Sequence, residues 1–235
     1  MTTIRVWFTK TGEASYISLL DLQRVFHRML KMSSLPVYYT QGFNPHIYLS
    51  FSCPLSLGQE SLCESCEVKT EQESIDPQRW IDALQPLMPR GIVITKIAPA
   101  KEKVGEIETA AYEVTMPASS AIALDAYNNA EHAEVTKKTK RGQKEMDLKP
   151  LIYELRMEAG EQGPALFMKI SNGSVANVKP EMVLDAYYAF LGEERPQFAW
   201  MFQREEVYAD QAAEEEKEAG KHCFVALADL GEAFA

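Results

Sequence analysis

The chain predicts an α+β protein made of two tandem ferredoxin-like β-α-β-β-α-β domains, and three observations carry that expectation. β-rich runs alternate with amphipathic helical stretches twice over the 235 residues. Each helical stretch has its own start and stop signals. A charged segment poor in large apolar residues, Lys101 to Thr109, separates the two passes of the pattern. The length suits two domains of roughly 100 to 120 residues. The expected division is residues 1–100, 110–209 and an acidic C-terminal tail over 210–235.

Thr3 to Phe8 reads as the first strand, closed by Lys10-Thr11-Gly12. A helix starts at Ser18, whose hydroxyl can cap the amide three residues on, with Asp21 in the first turn at the positive helix end. Leu19, Leu22, Val25, Phe26, Met29 and Leu30 fall on one side, leaving Gln23, Arg24, His27, Arg28 and Lys31 as a basic outer face. Pro36 ends the helix, and strands are expected around 37–51 and 62–70. Asp76-Pro77 opens a second helix over Gln78 to Leu87, Pro89-Arg90-Gly91 stops it, and Ile92 to Ile97 is a strand. The second pass gives a strand at Ala111 to Met116, a helix over Ser119 to Ala130 and a short strand at 132–139. Strands at Leu148 to Met157 and Ala165 to Ile170 follow, then a helix at Glu181 to Leu191 closed by Gly192, and a last strand at Phe198 to Tyr208.

Apolar residues at 46% and charged residues at 25% place the chain among globular proteins. No apolar run approaches the roughly 20 residues that cross a bilayer. The start, Met1-Thr2-Thr3-Ile4-Arg5-Val6-Trp7-Phe8, lacks the basic and apolar regions of a signal peptide, so no membrane association and a cytoplasmic location are expected. The four cysteines, Cys53, Cys63, Cys66 and Cys223, then read as reduced thiols. Cys63-Glu64-Ser65-Cys66 has metal-like spacing, but no second pair completes four ligands, and residues three apart on a strand point to opposite faces. No metal and no cofactor are expected. Walker, G-x-G-x-x-G and H-E-x-x-H motifs do not occur.

The net charge of -10 disfavours indiscriminate binding to nucleic acid but hides an asymmetry. Lys137 to Lys149 carries +4, and Glu205 to Glu218 carries -6. The basic segment, with Gly142 as a hairpin tip, suits phosphate contacts in RNA or DNA or is a solvated hairpin. Gly173-Ser174-Val175 before Lys179-Pro180 is either an anion-holding turn or a plain loop before a helix.

The densest concentration of recognition chemistry is Gln41-Gly42-Phe43-Asn44-Pro45-His46, set between the strand-like runs Leu35 to Tyr39 and Ile47 to Phe51. An imidazole titrates near neutrality, so His46 could move a proton, with Tyr16 or Tyr39 as neighbour. Bonding of the loop's own backbone and contact with a ligand are equal readings for His46 and Asn44, ahead of a catalytic one. Tyr16, Asp21 and Arg24 sit at the entry and outer face of the first helix.

Tyr16-Ile17-Ser18-Leu19-Leu20-Asp21-Leu22, Gln41 to His46, Ser50-Phe51, Pro54-Leu55 and Leu57-Gly58, taken in order, resemble the bacterial radical SAM-linked proteins, a family of unknown function found beside or fused to radical SAM enzymes. The resemblance continues through Met146-Asp147-Leu148-Lys149-Pro150 and Gly173-Ser174-Val175. It implies an accessory or substrate-presenting role beside a radical SAM enzyme, with RNA modification as the setting. Ser18-Leu19-Leu20-Asp21 lacks the histidine usual there in the family, which argues against catalysis from the first helix, and the C-x-x-x-C-x-x-C cluster motif of the radical enzymes is missing. The expected function is therefore a noncatalytic RNA-binding module. Gln41, Phe43, Asn44 and His46 would form its recognition loop, and Arg24, Arg28, Lys138, Lys140 and Arg141 its phosphate contacts. The alternatives are an RNA-processing enzyme with His46 as proton carrier, as in tandem ferredoxin-like CRISPR nucleases, and a protein-interaction module docking through the acidic segment.

Overall fold

In a computed structural model of the chain, the structure describes residues 1–100, 107–115, 124–139, 142–160, 163–173, 176–196 and 200–230. The fold is mixed α/β, with strands predominating over a few helices. Two compact units are present: Met1–Ile107 with Glu206–Ala235, and Glu108–Glu205.

The first unit begins with β1 (Thr2–Lys10), a 3-10 turn at Gly12–Tyr16 and α1 (Leu19–Met32). β2 (Leu49–Phe51), β3 (Glu60–Thr70), α2 (Pro77–Leu84) and β4 (Ile92–Pro99) follow. β1 runs antiparallel to β3 and to β4, and β2 antiparallel to the end of β3, so these four strands neighbour one another in the order β4-β1-β3-β2, with the short β2 as a branch off the main sheet path. Strand pairing over 37–51 is shorter than the apolar run predicts. Only Leu49–Phe51 is a strand, and Val37 and Tyr39 make isolated bridges to Thr70 and Ile47. Pro36 and Pro45 lack the N–H that would extend the ladder.

Alternation along β1 sends Ile4, Val6 and Phe8 into a core with Cys66 and Val68 of β3. Leu22, Phe26 and Leu30 of α1, with Trp80 and Leu84 of α2, close this core. The rings of Phe8, Phe26 and Phe51 meet at centroid distances of 4.9, 5.3 and 6.2 Å. Such a buried phenyl group stabilises by about 3–5 kcal/mol relative to alanine. The helix starts follow the sequence signals. Asp21 N–H donates to Ser18 Oγ at 3.2 Å, and Gln78 and Arg79 N–H donate to Asp76 Oδ1 at 3.0 and 3.3 Å. Gly91 has φ +86°, and a Cβ there would lie 2.2 Å from the Thr11 carbonyl oxygen, so glycine lets the α2–β4 turn close against the end of β1.

The opposite residues of the same strands carry a buried ion pair, Arg5 Nη2 to Glu67 Oε1 at 2.6 Å, with the Arg5 guanidinium 5.8 Å from the Trp7 ring centre. Cys66 is fully buried and burial pushes its thiol pKa up, while Cys63 lies beside Ser61 Oγ at 3.6 Å. Both are present as thiols.

The second unit contains β5 (Ile107–Thr115), α3 (Leu124–Asn128), β6 (Glu134–Thr139), β7 (Gly142–Asp147), β8 (Ile152–Gly160), β9 (Gly163–Ser171) and α4 (Pro180–Leu191). β9 is antiparallel to β5 and to β8. β6 and β7 pair only with each other, forming a separate two-stranded sheet. The strand expected at 132–139 is therefore one arm of an independent hairpin. The run expected as a strand from Leu148 is divided, since a 3-10 turn at Lys149–Leu151, containing Pro150, precedes β8. Part of the helix expected over 119–130, the tip residues Lys140 and Arg141, and Ser174 and Val175 lie outside the described residues.

The base of the hairpin is closed by Asp147. Its Oδ1 accepts from Ala133 N–H and Lys149 N–H, both at 2.9 Å, and its Oδ2 bonds His132 Nδ1 at 2.8 Å. Those bonds, led by the one from Ala133 N–H, hold the Asp147 carboxyl down to about 2, and the same carboxylate raises the His132 pKa. Lys149 Nζ donates to the Tyr127 and Asn128 carbonyls at 3.0 and 2.6 Å, capping the C-terminal end of α3.

β10 (Met201–Asp210), α5 (Glu214–Glu218) and β11 (Phe224–Ala226) complete the chain. Residues 206–235, counted by the acidic-tail expectation as separate from Asp210 onward, group with the first unit. β11 pairs antiparallel with β10, Leu227 is buried, and Lys96 Nζ donates to the Ala228 carbonyl. Asp210 repeats the Asp147 arrangement. Its Oδ1 accepts from Ala212 N–H at 3.0 Å and Cys223 N–H at 2.9 Å, and its Oδ2 bonds His222 Nδ1 at 2.7 Å.

Candidate functional site

The Gln41–His46 segment is the tip of a small hairpin held at its base by backbone bonds. Thr40 N–H donates to the His46 carbonyl at 2.8 Å, and Tyr48 N–H to the Tyr38 carbonyl at 3.3 Å. Tyr38 N–H in turn donates to the Lys69 carbonyl at 2.8 Å, which ties the hairpin to the end of β3, while Lys69 Nζ sits 4.3 Å from the Tyr48 ring centre. Gly42, at φ +134°, turns the tip in open space. Gln41, Asn44 and Pro45 are exposed, and Phe43 projects fully into solvent.

His46 is oriented from one side of its ring. Its N–H donates to Thr40 Oγ1 at 3.1 Å, and its Nδ1 lies 3.0 Å from Thr40 Oγ1 and 3.1 Å from the Asn44 carbonyl oxygen. A carbonyl oxygen can only accept, so it favours the proton on Nδ1 and leaves Nε2 as the unprotonated nitrogen of the neutral ring. The Nδ1 side of the ring thus serves the loop backbone, and His46 also lines a cleft.

That cleft, about 270 Å³ in volume, is lined by His27, Arg28 and Lys31 of α1 and by Tyr39, Pro45, His46 and Ile47 of the hairpin. Amphipathic α1 makes it: burying Leu22, Phe26 and Leu30 turns the His27, Arg28 and Lys31 stripe toward the hairpin. His27 is half-buried, and burial, followed by the charges of His46 and Lys31, lowers its pKa. Every polar side-chain group on the cleft wall is cationic, potentially cationic or a phenol, so an anion is the ligand it favours electrostatically.

The remaining predicted site residues are placed as follows. Arg28 lines the cleft, whereas Arg24, one turn earlier, donates to Asp21 Oδ1 at 2.9 Å in an exposed ion pair. Tyr16 is exposed at the end of the 3-10 turn, near Gly58, and is not among the cleft-lining residues. Lys138 is on β6 opposite Gln143. His27 and Lys31 were visible as part of the basic helix face but not singled out; their four-residue spacing, which stacks side chains on one helix face, was the available signal. No cluster of His, Cys, Asp and Glu that could hold a metal occurs among the described residues. Nor is any helix among them long and apolar enough to cross a membrane.

Fold and site together define a mixed α/β protein with a cation-lined cleft between a helix and a hairpin tip. Residues 3–180 match the family described as an uncharacterized protein conserved in bacteria, DUF2344, and the chain belongs to that family. No curated protein matches it.

Proposed function

We propose that this chain is an RNA-binding, substrate-presenting module with two ferredoxin-like units, working beside an enzyme that carries out the chemistry. The observation that supports it best is the convergence of Arg28, Lys31, His27 and His46 on one cleft in a protein of net charge -10. A local cationic site in an acidic protein favours a defined polyanion over indiscriminate binding. The β4-β1-β3-β2 order of the first unit agrees with a ferredoxin-like unit. The radical SAM enzyme as partner, and RNA modification as the process, rest on the sequence resemblance. Lys138, Lys140 and Arg141 are proposed as additional phosphate contacts on charge alone.

The test is fluorescence anisotropy with a labelled 12-nucleotide RNA and the full chain. Saturable, salt-sensitive binding that weakens in the Arg28→Ala, Lys31→Ala double variant is expected. Absence of RNA binding, or affinity unchanged in that variant, overturns the proposal for this cleft.

A further inference from the structure

The geometry points to a single-stranded ligand with one base stacked on Phe43 and the adjoining phosphate in the His27–Arg28–Lys31–His46 cleft, an inference that rests on the RNA-binding reading. Three observations carry it. Phe43 is fully exposed, with no intramolecular packing to justify a large apolar ring at that position. It sits two residues from Pro45 and three from His46, both on the cleft wall, and two residues of extended chain span at most roughly 7 Å. The ring is also carried by an anchored tip, since the Thr40–His46 bonds close the loop below it and the Tyr38–Lys69 bond ties that base to β3.

A flat aromatic face beside an anion site matches the alternation of base and phosphate along a nucleic-acid strand. Stacking on Phe43 needs a base whose face is free. Bases inside a duplex already stack on their neighbours, so a helix could offer this site its phosphates but not a base. Tyr39, which also lines the cleft, adds a second aromatic edge for the ribose or the next base. Recognition of this kind tolerates sequence, because every base has a π face.

The experiment compares one fluorescein-labelled 12-nucleotide RNA in three forms: single-stranded, annealed to its complement, and with abasic residues in its central half. The proteins are wild type, Phe43→Ala, Phe43→Trp and the Arg28→Ala, Lys31→Ala double variant. Wild type should prefer the single strand to the duplex. Phe43→Ala and the abasic RNA should each weaken binding by roughly 5- to 150-fold, the range for loss of one base–aromatic stack. In Phe43→Ala the salt dependence should be unchanged, and Phe43→Trp should retain the affinity. Because Phe43 touches no core residue, unaltered circular dichroism should accompany these changes. Duplex bound as tightly as single strand, or no effect of Phe43→Ala while Arg28 and Lys31 still matter, overturns this inference and leaves the RNA-binding reading standing. A Phe43 that instead serves a protein partner would give that second outcome. Loss of all RNA binding in the wild type overturns both.

Discussion

Replacing Arg28 and Lys31 together by alanine should change how salt acts on RNA binding, by an amount that follows from the cleft. Both side chains are exposed on α1, so their removal leaves the buried face of Leu22, Phe26 and Leu30 intact. Each cation that neutralises a phosphate releases counterions, with a slope of about 0.7 in log K against log salt per contact on a single strand. Two lost contacts should therefore flatten the slope by about 1.4 and, at about 0.1 M salt, weaken binding by roughly 25-fold. Arg24→Ala is the internal comparison. Its guanidinium is paired with Asp21 at 2.9 Å and is not among the groups lining the cleft, so it should change the slope by less than about 0.7. Anisotropy titrations at 50, 100 and 200 mM salt measure all three proteins. A slope unaltered in the double variant, or a larger change in Arg24→Ala than in that variant, would refute the assignment of the phosphate to this cleft.

Three further predictions concern pH and stability. Because His27 lies below its ordinary pKa in the free protein, an anion in the cleft should raise it and drive proton uptake; RNA affinity should rise as pH falls from 8 to 6, and His27→Gln should flatten that profile in the same titration. Asp147→Ala removes the acceptor of two backbone N–H groups and should cost about 0.5–2 kcal/mol in urea unfolding at pH 7. The sign of its pH dependence follows from a carboxyl held down to about 2: its contribution is present above the unfolded value near 3.8 and is lost as pH falls toward 2, so wild type and variant should converge there, and a gap that persists would sink the clasp argument. Gly91→Ala, which places a Cβ 2.2 Å from the Thr11 carbonyl oxygen at a positive φ, should destabilise the first unit by about 2–4 kcal/mol, whereas Gly42→Ala meets no atom within 4 Å and should act only through its strained φ; equal unfolding midpoints for the two would contradict this.

Local signals were the legible part of the fold. Ser18, Asp76-Pro77 and Gly192 each mark a helix end where the structure has one, because capping depends on residues a few positions apart. The β6–β7 hairpin about Gly142 was legible, but its separation from the main sheet was not, because strand-like runs do not state their partners and β6 pairs with β7 in a sheet of their own. Of the site, the hairpin tip and Arg28 were readable as residue types, but the choice between Arg24 and Lys31 was not. It turns on Asp21, which claims Arg24, and on the direction of the 37–48 hairpin, which is set by the distant end of β3.

The four histidines show what long-range register adds. His27 and His46 share the cleft, while His132 and His222 occupy two versions of one clasp. In each clasp an aspartate ends a strand, pairs across the ladder with the residue two after the histidine, and accepts from the N–H two residues beyond itself and from the N–H following the histidine. The register pairs are Glu134 with Asp147 and Phe224 with Asp210. This arrangement accounts for Asp147 in Met146-Asp147-Leu148-Lys149-Pro150 as the closure of a hairpin rather than as chemistry, and for Lys149 as the cap of α3. Assigning those charges to structure removes them from the ligand inventory. In the first unit the cleft brings Arg28 and Lys31 beside His27 and His46, which is why the salt slope of Arg28 and Lys31, and not the total basic count, is the quantity that tests the cleft.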